Sequence, residues 1–422
     1  MVWQFIDVFK KIAGHGVEDD DFADRLSRRQ TIVLLIIFCI LVGSSQFVGN
    51  PISCWVPAQF SGAMTSYTNS ICWIANTYYV PTDSSLPRPN EKREFRINYY
   101  QWVPFILTSM ALLFYVPFAI WRLMSKENGV QTKSVMKMIS SMDQADPMAR
   151  EKGINSVCKI IDHSIQINRD WSDGSCFAQL RAKMPWHRSS GVYLCYLYIF
   201  VKILYISNVT IQLLTLNYFL NSKYGIFGYE FLNDLWSGKN FWESSRFPRV
   251  TMCDFTIRTL GENTQRNTVQ CTLPINLFNE KIFIFIWFWF CLVLVLSVYS
   301  CLVWFFNFTK SSRRQFVRRY LKKSEQKKST EFRKDMLDAF VFEYLRADGL
   351  FLLRIVKKNS NDLVVSDLIA SLWEQYKRSV KFIKRNDYLS TELGVDNENN
   401  KSKSNNSNES PLLKKNGYIY NP

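Results

Sequence analysis

The chain has 422 residues, and its 52 lysines and arginines outnumber its 36 aspartates and glutamates, which gives a formal net charge of +16. The mean hydropathy of -0.10 is that of a soluble basic protein. Charged residues are nevertheless almost absent from four long apolar segments, and this distribution excludes a uniformly soluble chain.

Residues 1–30 form a leader ahead of the first apolar segment. Its apolar residues recur at helical spacing, which predicts a short amphipathic helix. The members of that pattern are Val2, Phe5, Ile6, Phe9, Ile12 and Ala13. An acidic run from Glu18 to Asp21, followed by Asp24, separates this pattern from the first apolar segment.

The four apolar segments are each long enough to cross about 30 Å of hydrocarbon as a helix. Three of them carry no charge, and residues 191–216 carry only Lys202. Because a spanning segment must pair its backbone polar groups internally, we predict four transmembrane helices. A cleaved signal peptide is the alternative for the first segment, but that segment starts behind a leader of thirty residues.

We therefore predict an all-α membrane protein in which four transmembrane helices are joined by two outer and one inner segment. Its parts are a leader (1–30), spans at 31–48, 101–121, 191–216 and 282–306, outer loops at 49–100 and 217–281, a helical inner loop (122–190), a helical region (307–385) and a disordered tail (386–422).

The third span carries a polar stripe on one arc of the helix. Its members include Lys202, Asn208 and Gln212. A lysine at the centre of a span costs roughly 2.5 to 3.5 kcal/mol against lipid, so we expect the stripe to face protein or water. Hydrogen bonding within one subunit and a water-facing wall are both open at this point.

The distribution of basic residues predicts the orientation of the chain. Forty of the 52 lysines and arginines lie in the leader, the inner loop and the region after the last span, and ten lie in residues 49–100 and 217–280. The positive-inside rule therefore places both termini in the cytoplasm. The net charge is then explained by the anionic inner leaflet, with no need for nucleic acid as a partner.

The cysteines agree with this topology. Four of the ten lie in the outer loops, two in each loop, and face an oxidising compartment. They are Cys54, Cys72, Cys253 and Cys271. Four cysteines allow three pairings, and the sequence does not choose among them.

Enzymatic chemistry has little support in the sequence. The three histidines, His15, His163 and His187, are isolated from one another and from cysteines or carboxylates at metal-ligand spacing. No glycine-rich phosphate loop or intramembrane carboxylate pair is present. We predict no catalytic residues, metal site or cofactor.

Several motifs closely resemble those of the innexins, a family that builds intercellular channels. The first is Tyr99-Tyr100-Gln101-Trp102-Val103-Pro104, where an outer loop enters the second span. The others are Pro51-Ile52-Ser53-Cys54-Trp55, Phe247-Pro248-Arg249-Val250-Thr251-Met252-Cys253-Asp254-Phe255 and Glu280-Lys281-Ile282-Phe283-Ile284-Phe285. The resemblance reaches from about residue 23 to about residue 306.

The resemblance implies a ring of eight subunits around a central pore. Two rings on apposed cells dock at a gap junction of the plasma membrane and pass ions and small metabolites. It also implies nested disulfides, Cys54 with Cys271 and Cys72 with Cys253, whereas a bridge within each loop is the alternative. The implied partners are copies of this chain, the docked ring, other innexins and membrane lipids.

The resemblance further places the leader helix in the cytoplasmic mouth of the pore. The residues of this funnel are Val2, Trp3, Gln4, Phe5, Asp7 and Lys11. A helix lying on the inner leaflet is the competing interpretation. In a ring, the acidic run would concentrate cations at the pore mouth, while in the simpler interpretation it caps a helix N-terminus.

Three other classes of protein remain as alternatives. An undocked, pannexin-like channel shares the topology, but such proteins typically carry a glycan on an outer loop, and neither outer loop here contains an Asn-x-Ser/Thr sequon. A four-span adhesion protein has its outer cysteines in the first loop only. A solute transporter is expected to have more spans or an internal repeat.

Overall fold

The computed structural model describes most of the chain from residue 20 to residue 392. The described residues are 20–81, 85–88, 91, 93, 95–126, 132–142, 146–170, 191–219, 232–233, 236–237, 247–258, 263–325 and 334–392.

The helices are α1 (Phe22–Phe47), α2 (Gly62–Ile74), α3 (Val103–Lys126), α4 (Thr132–Ser141), α5 (Pro147–Asp170), α6 (Tyr193–Phe219), α7 (Pro274–Asn307), α8 (Lys310–Glu325), α9 (Lys334–Ala339), α10 (Arg346–Asn359) and α11 (Asp362–Glu392). The strands are β1 (Ser53–Trp55), β2 (Thr77–Tyr78), β3 (Arg96–Ile97), β4 (Val250–Arg258) and β5 (Thr264–Thr272). The described part of the chain is therefore mostly helical.

Four of these helices, α1, α3, α6 and α7, are long and apolar enough to cross a membrane. Neighbours pack in the order α1, α3, α6, α7, and α7 returns to contact α1. Their shared interior is filled by fully buried side chains. Examples are Leu35, Leu107, Val209, Phe290 and Val293. The bundle of one subunit is thus a packed core.

The helices run beyond the predicted spans, for local reasons. Helix α1 begins at Phe22, within the predicted leader, because the Asp21 carboxylate accepts the Phe22 N–H at 2.8 Å. Helix α7 begins at Pro274, eight residues before the predicted span, because proline suits the first turn of a helix. At 34 residues, α7 is about 51 Å long, so its ends extend past the hydrocarbon.

The two prolines of α3 leave the helix continuous. Pro104 lies in the first turn, where a missing N–H is not needed. Pro117 lies in the interior, and the helix continues past it to Lys126.

The two outer loops combine into one antiparallel sheet, which the sequence analysis does not foresee. Its strand order is β1-β5-β4-β2-β3, so strands from the first loop flank a hairpin from the second. Side chains of β4 alternate between the two faces, and Thr251, Cys253 and Phe255 point to the buried face. All five strands lie between spans at the same end of the bundle, which we call the sheet end.

Two disulfides join the loops within this sheet. Cys54 bonds to Cys271, its direct neighbour in the β1–β5 register, with a Cα–Cα distance of 3.9 Å. Cys72, on α2, bonds to Cys253 on β4 with a Cα–Cα distance of 5.7 Å. This is the nested pairing that the family resemblance implies, and no bridge closes within a single loop.

Further helices form the opposite end of the bundle. Helices α4, α5, α8, α9 and α10, with the first part of α11, belong to the same compact unit as the four spans, residues Met1–Ser371. The second unit is Leu372–Pro422, and within it α11 continues to Glu392. Helix thus extends seven residues into the region predicted as a disordered tail, and residues 393–422 lie outside the described part of the chain.

We predict that the four loop cysteines are oxidised in the mature protein. Mass spectrometry without reduction should recover the peptide pairs 54–271 and 72–253 and no free thiol at these positions. Removing the Cys72–Cys253 bridge as a Cys72→Ser, Cys253→Ser double variant should lower stability by about 2 to 4 kcal/mol, because the bridge closes a long loop. The control is Cys301→Ser, at a free thiol of α7; equal melting of the two variants would contradict the prediction.

Candidate functional sites at the two ends of the bundle

The innexin-like motif Tyr99–Pro104, which we call the signature, lies at the start of α3. It connects the spans to the sheet end. Tyr99 and Tyr100 are 8% and 0% exposed. The Tyr99 ring contacts Phe247 edge-on, and Phe247 in turn stacks on Phe283 of α7. The Tyr100 carbonyl accepts a hydrogen bond from Gln46 Nε2 at 2.6 Å. These two tyrosines therefore connect α1, α7 and the second loop.

The remaining residues of the signature hold α2 against α3 or face outward. Tyr100 Oη and Gln101 Nε2 both donate to the backbone carbonyl of Trp73, at the end of α2. Trp102 is 59% exposed, so it is the signature residue available to a neighbouring molecule or to lipid. Pro104 accepts through its carbonyl from Thr108 Oγ1 in the first turn of α3.

The second-loop motif Phe247–Phe255 is bonded to the first turns of α7. Asn276 Nδ2 donates to the Pro248 carbonyl at 2.8 Å, and Arg249 forms a 3.0 Å ion pair with Glu280. Asn276 and Glu280 are buried although they belong to the longest apolar helix. Their burial explains why α7 begins well before the hydrocarbon: its first turns are a platform for the sheet.

Asp254, in the same motif, is the centre of a polar cluster on β4. Its carboxylate accepts hydrogen bonds from Arg93, Arg266, Tyr78 and Thr268 at 2.6 to 3.1 Å. Burial alone would raise the pKa of Asp254, but these donors lower it to about 2. Burial and the Asp254 charge raise the pKa of Tyr78 to about 12. The cluster joins β2, β4, β5 and residue 93 of the first loop.

The sulfur atoms of Cys54, Cys72 and Cys271 lie within 4.8 Å of one another. This spacing resembles a metal site. Each sulfur is already bonded in a disulfide, however, so the group offers no thiolate, the form of cysteine that binds zinc.

At the other end of the bundle, Lys202 of the third span is 1% exposed. Its ammonium lies 2.8 Å from Asp24 of α1 and 2.7 Å from Ser300 Oγ of α7. Tyr198 Oη donates to the same Asp24 carboxylate at 2.9 Å. A lysine buried in a membrane helix needs such a carboxylate, and here the pair joins three spans.

Asp21 extends this cluster to the helices beyond the spans. Its Oδ2 accepts from Ser300 Oγ at 2.7 Å and from Trp304 Nε1 at 3.1 Å, and it lies 2.8 Å from Lys358 Nζ of α10. Burial raises the pKa of Asp21, but Lys202, Lys358 and Ser300 outweigh it and hold that pKa well below its usual range. The carboxylate therefore remains charged at neutral pH.

The described part of the acidic run thus points into the subunit. Asp20 and Asp24 are each 5% exposed, and Asp20 forms a 2.9 Å ion pair with Arg28. Asp21 both caps α1 and pairs with lysines. We call Asp20, Asp21, Asp24, Lys202 and Lys358 the charge cluster. These three acids have the capping and pairing role, and a pore-mouth role could rest only on Glu18 and Asp19, which lie outside the described residues.

Gln212 and Asn208, further along the polar stripe of α6, also make contacts within the subunit, whereas Thr215 at the end of the stripe is exposed. Gln212 is 2% exposed, and its Nε2 donates to Asn208 Oδ1 at 3.1 Å and to the Met110 carbonyl of α3 at 3.4 Å. Asn208 is half-buried. The sequence left open whether these polar residues bond within one subunit or face water. The hydrogen bonds of Gln212 are formed within one subunit.

Two helix N-termini interlock beside the charge cluster. The Asp348 carboxylate of α10 accepts the Cys195 N–H in the first turn of α6 at 3.3 Å, and the N–H groups of Ala347 and Asp348 donate to the Gly191 carbonyl at 3.1 Å. Burial raises the pKa of Asp348 to about 6, against hydrogen bonds from backbone N–H groups of α6. Gly191 has φ +64°, a conformation suited to glycine.

The funnel residues predicted in the leader, Val2 to Lys11, lie outside the described part of the chain. Sequence reasoning missed the partners of Lys202 and the reciprocal capping by Asp348. One signal was present for Lys202: a lone charge in a span requires an opposite charge nearby, and Asp24 stands at the matching end of α1. Asp348 has no comparable signal, because it meets α6 only through tertiary packing.

We predict that Asp254→Asn lowers stability by about 1 kcal/mol, a modest effect because the group is partly exposed. The lowered pKa of Asp254 means that its stabilisation is complete above the unfolded-state pKa near 3.8 and is lost as pH falls toward about 2. Thermal melting of the unchanged protein and of Asp254→Asn at a series of pH values checks this. A difference in melting temperature between the two proteins that widens on acidification would contradict the prediction.

Lys202→Met should lower stability by about 3 to 5 kcal/mol, because Asp24 then remains buried without its cation. Adding Asp24→Asn should restore most of the loss, since both charges are then removed and Tyr198 keeps an acceptor. Lys159→Met, at an exposed lysine of α5, is the control. Thermal melting in detergent measures all four proteins; a double variant no more stable than Lys202→Met would show that the two charges do not act as a pair.

Comparison with known proteins extends the match beyond the spans. The innexin family model matches residues 20–376, so most of the helical region after α7 also belongs to the shared architecture. Innexin unc-9 of Caenorhabditis elegans is 39% identical over 378 residues, which cover 89% of this chain and 96% of that protein. Innexin-19 of Caenorhabditis briggsae is 34% identical over 389 residues, with 85% and 87% covered.

Innexin-3 of Caenorhabditis elegans is 34% identical over 365 residues, which cover 86% of this chain and 85% of that protein. The family model spans the four apolar helices and the disulfide-linked sheet. The chain therefore belongs to the innexin family of gap junction proteins.

Proposed function

We propose that this chain is a channel subunit that catalyses no reaction and works as a ring of copies around a central pore. Two such rings, one in each of two adjacent cells, dock and pass ions and small metabolites. The observation that carries the proposal is the joining of both interspan loops by two disulfides at one end of four apolar helices, in a chain that belongs to the innexin family.

The packing of the bundle supports a pore between subunits. The interior of the four spans is filled, and its polar groups, Lys202 and Gln212 among them, bond to other parts of the same subunit. A water path wide enough for metabolites therefore has to lie between copies. We infer a ring of eight copies from the family resemblance, and mixed rings with other innexins belong to the same proposal.

The sheet end suits the docking role. Its strands are fixed by two bridges and by the Asp254 cluster, so the surface is held rigid before a partner arrives. Exposed aromatic side chains are available there: Trp55 is 83% exposed and Tyr67 is 52% exposed. Rigid aromatic groups lose little entropy on binding.

We propose a multi-pass orientation with both termini in the cytoplasm and the sheet outside the cell, from the 40 to 10 distribution of basic residues. The leader remains assigned to the cytoplasmic mouth of the pore on family resemblance. Because the charge cluster holds Asp21 and Asp24 at the start of α1, it would fix the point from which the leader enters the pore.

Dye transfer between paired cells that express only this chain tests the proposal. A small fluorescent dye should pass between the paired cells, and single cells should take up little dye at resting calcium. The Cys72→Ser, Cys253→Ser variant should abolish transfer, while the Cys301→Ser control should keep it. Strong uptake by single cells without transfer between pairs would instead favour an undocked channel.

A further inference from the structure

Helix α8 begins where the fourth span ends. Only Phe308 and Thr309 separate Asn307 of α7 from Lys310 of α8. Arg313 Nε donates to the Phe308 carbonyl at 2.8 Å, which satisfies a carbonyl at the C-terminus of the span and places a cation at the negative end of its dipole. Helix α8 therefore starts directly beyond the helix that forms the fourth span.

One face of α8 is fixed against the helices that follow. Val317, Tyr320 and Leu321 are at most 1% exposed. Tyr320 Oη donates to Asp362 at 2.8 Å, and Arg314 forms a bidentate pair with Asp338. Since these contacts set the rotation of the helix about its axis, they also determine which side chains point outward.

The outward face is basic. Arg318, Arg319 and Lys322 are exposed, and no carboxylate in the described part of the chain pairs with any of them. Glu325, at the last position of α8, is the single acidic residue of this helix. We call Arg318, Arg319 and Lys322 the basic face. Side chains of like charge this close repel one another, so the face is stabilised by a polyanionic surface.

The place of α8 directly after a membrane span and the positive charge of its outward face together indicate which polyanionic surface it contacts. Helix α8 follows a membrane span after two residues, and the charge of lipid headgroups acts over a Debye length of about 8 Å at physiological salt. Each lysine or arginine near an anionic leaflet raises membrane association by roughly fivefold. We propose that the basic face of α8 binds the headgroups of anionic phospholipids beside the end of α7. The proposal rests on the membrane placement of α7, not on channel activity.

The test uses purified full-length protein titrated with phosphatidylserine or phosphatidylcholine and followed by native mass spectrometry. Changing Arg318, Arg319 and Lys322 to Gln should weaken phosphatidylserine retention by roughly tenfold or more and leave phosphatidylcholine retention unchanged. The matched control changes Lys133, Lys137 and Lys152, exposed lysines of α4 and α5, to Gln and removes the same charge. A charge-preserving variant, with Arg318→Lys, Arg319→Lys and Lys322→Arg, should retain the lipid.

A second measurement needs no variant. Amide hydrogen exchange of the protein in nanodiscs should slow in α8 when phosphatidylserine is added to phosphatidylcholine. Equal loss of retention in the test and control variants, or no added protection of α8, would overturn the proposal. Competition by inorganic phosphate as strong as by the lipid would also overturn it, because it would assign the face to soluble anions. A protein that fails to transfer dye can still pass these tests, so the two proposals fail separately.

Discussion

Hydrocarbon cannot form hydrogen bonds with the chain, and this constraint governs each layer of the structure. Backbone groups must be paired within each span, which leaves helices as the form of the four apolar segments. Charges that enter the bundle must be neutralised locally, and Lys202 accordingly lies 2.8 Å from Asp24. Irregular backbone has to lie beyond the spans, where the loops close into a sheet through Cys54–Cys271 and Cys72–Cys253.

The two ends of the bundle are held by different chemistry. The sheet end relies on covalent bridges and on the Asp254 cluster, which suit an oxidising, aqueous compartment. The other end relies on buried ion pairs and on the interlocked N-termini of α6 and α10. Because Asp21 contacts both Ser300 of α7 and Lys358 of α10, a movement of the helices outside the membrane would reach the start of α1 directly.

The sequence alone was sufficient to predict the number of spans, because hydropathy and the exclusion of charge depend only on local composition. The strands of the first loop were missed for the opposite reason: β1 and β2 pair with β5 and β4 of the second loop, Ser53 with Thr272 and Tyr78 with Met252, and local patterns carry little information about such distant pairing. The interior orientation of Lys202 was left open, since a polar stripe looks the same whether it faces protein or water. Asp348 could not be identified, because its role depends on packing between α10 and α6.

The central claim is that the water path lies between copies of a filled four-helix bundle. Electron microscopy of the purified full-length chain, kept oxidised, tests this claim most directly. We expect a closed ring of eight copies around a central opening, with the disulfide-linked sheets together on one face. Isolated bundles, or an assembly without a central opening, would contradict the account.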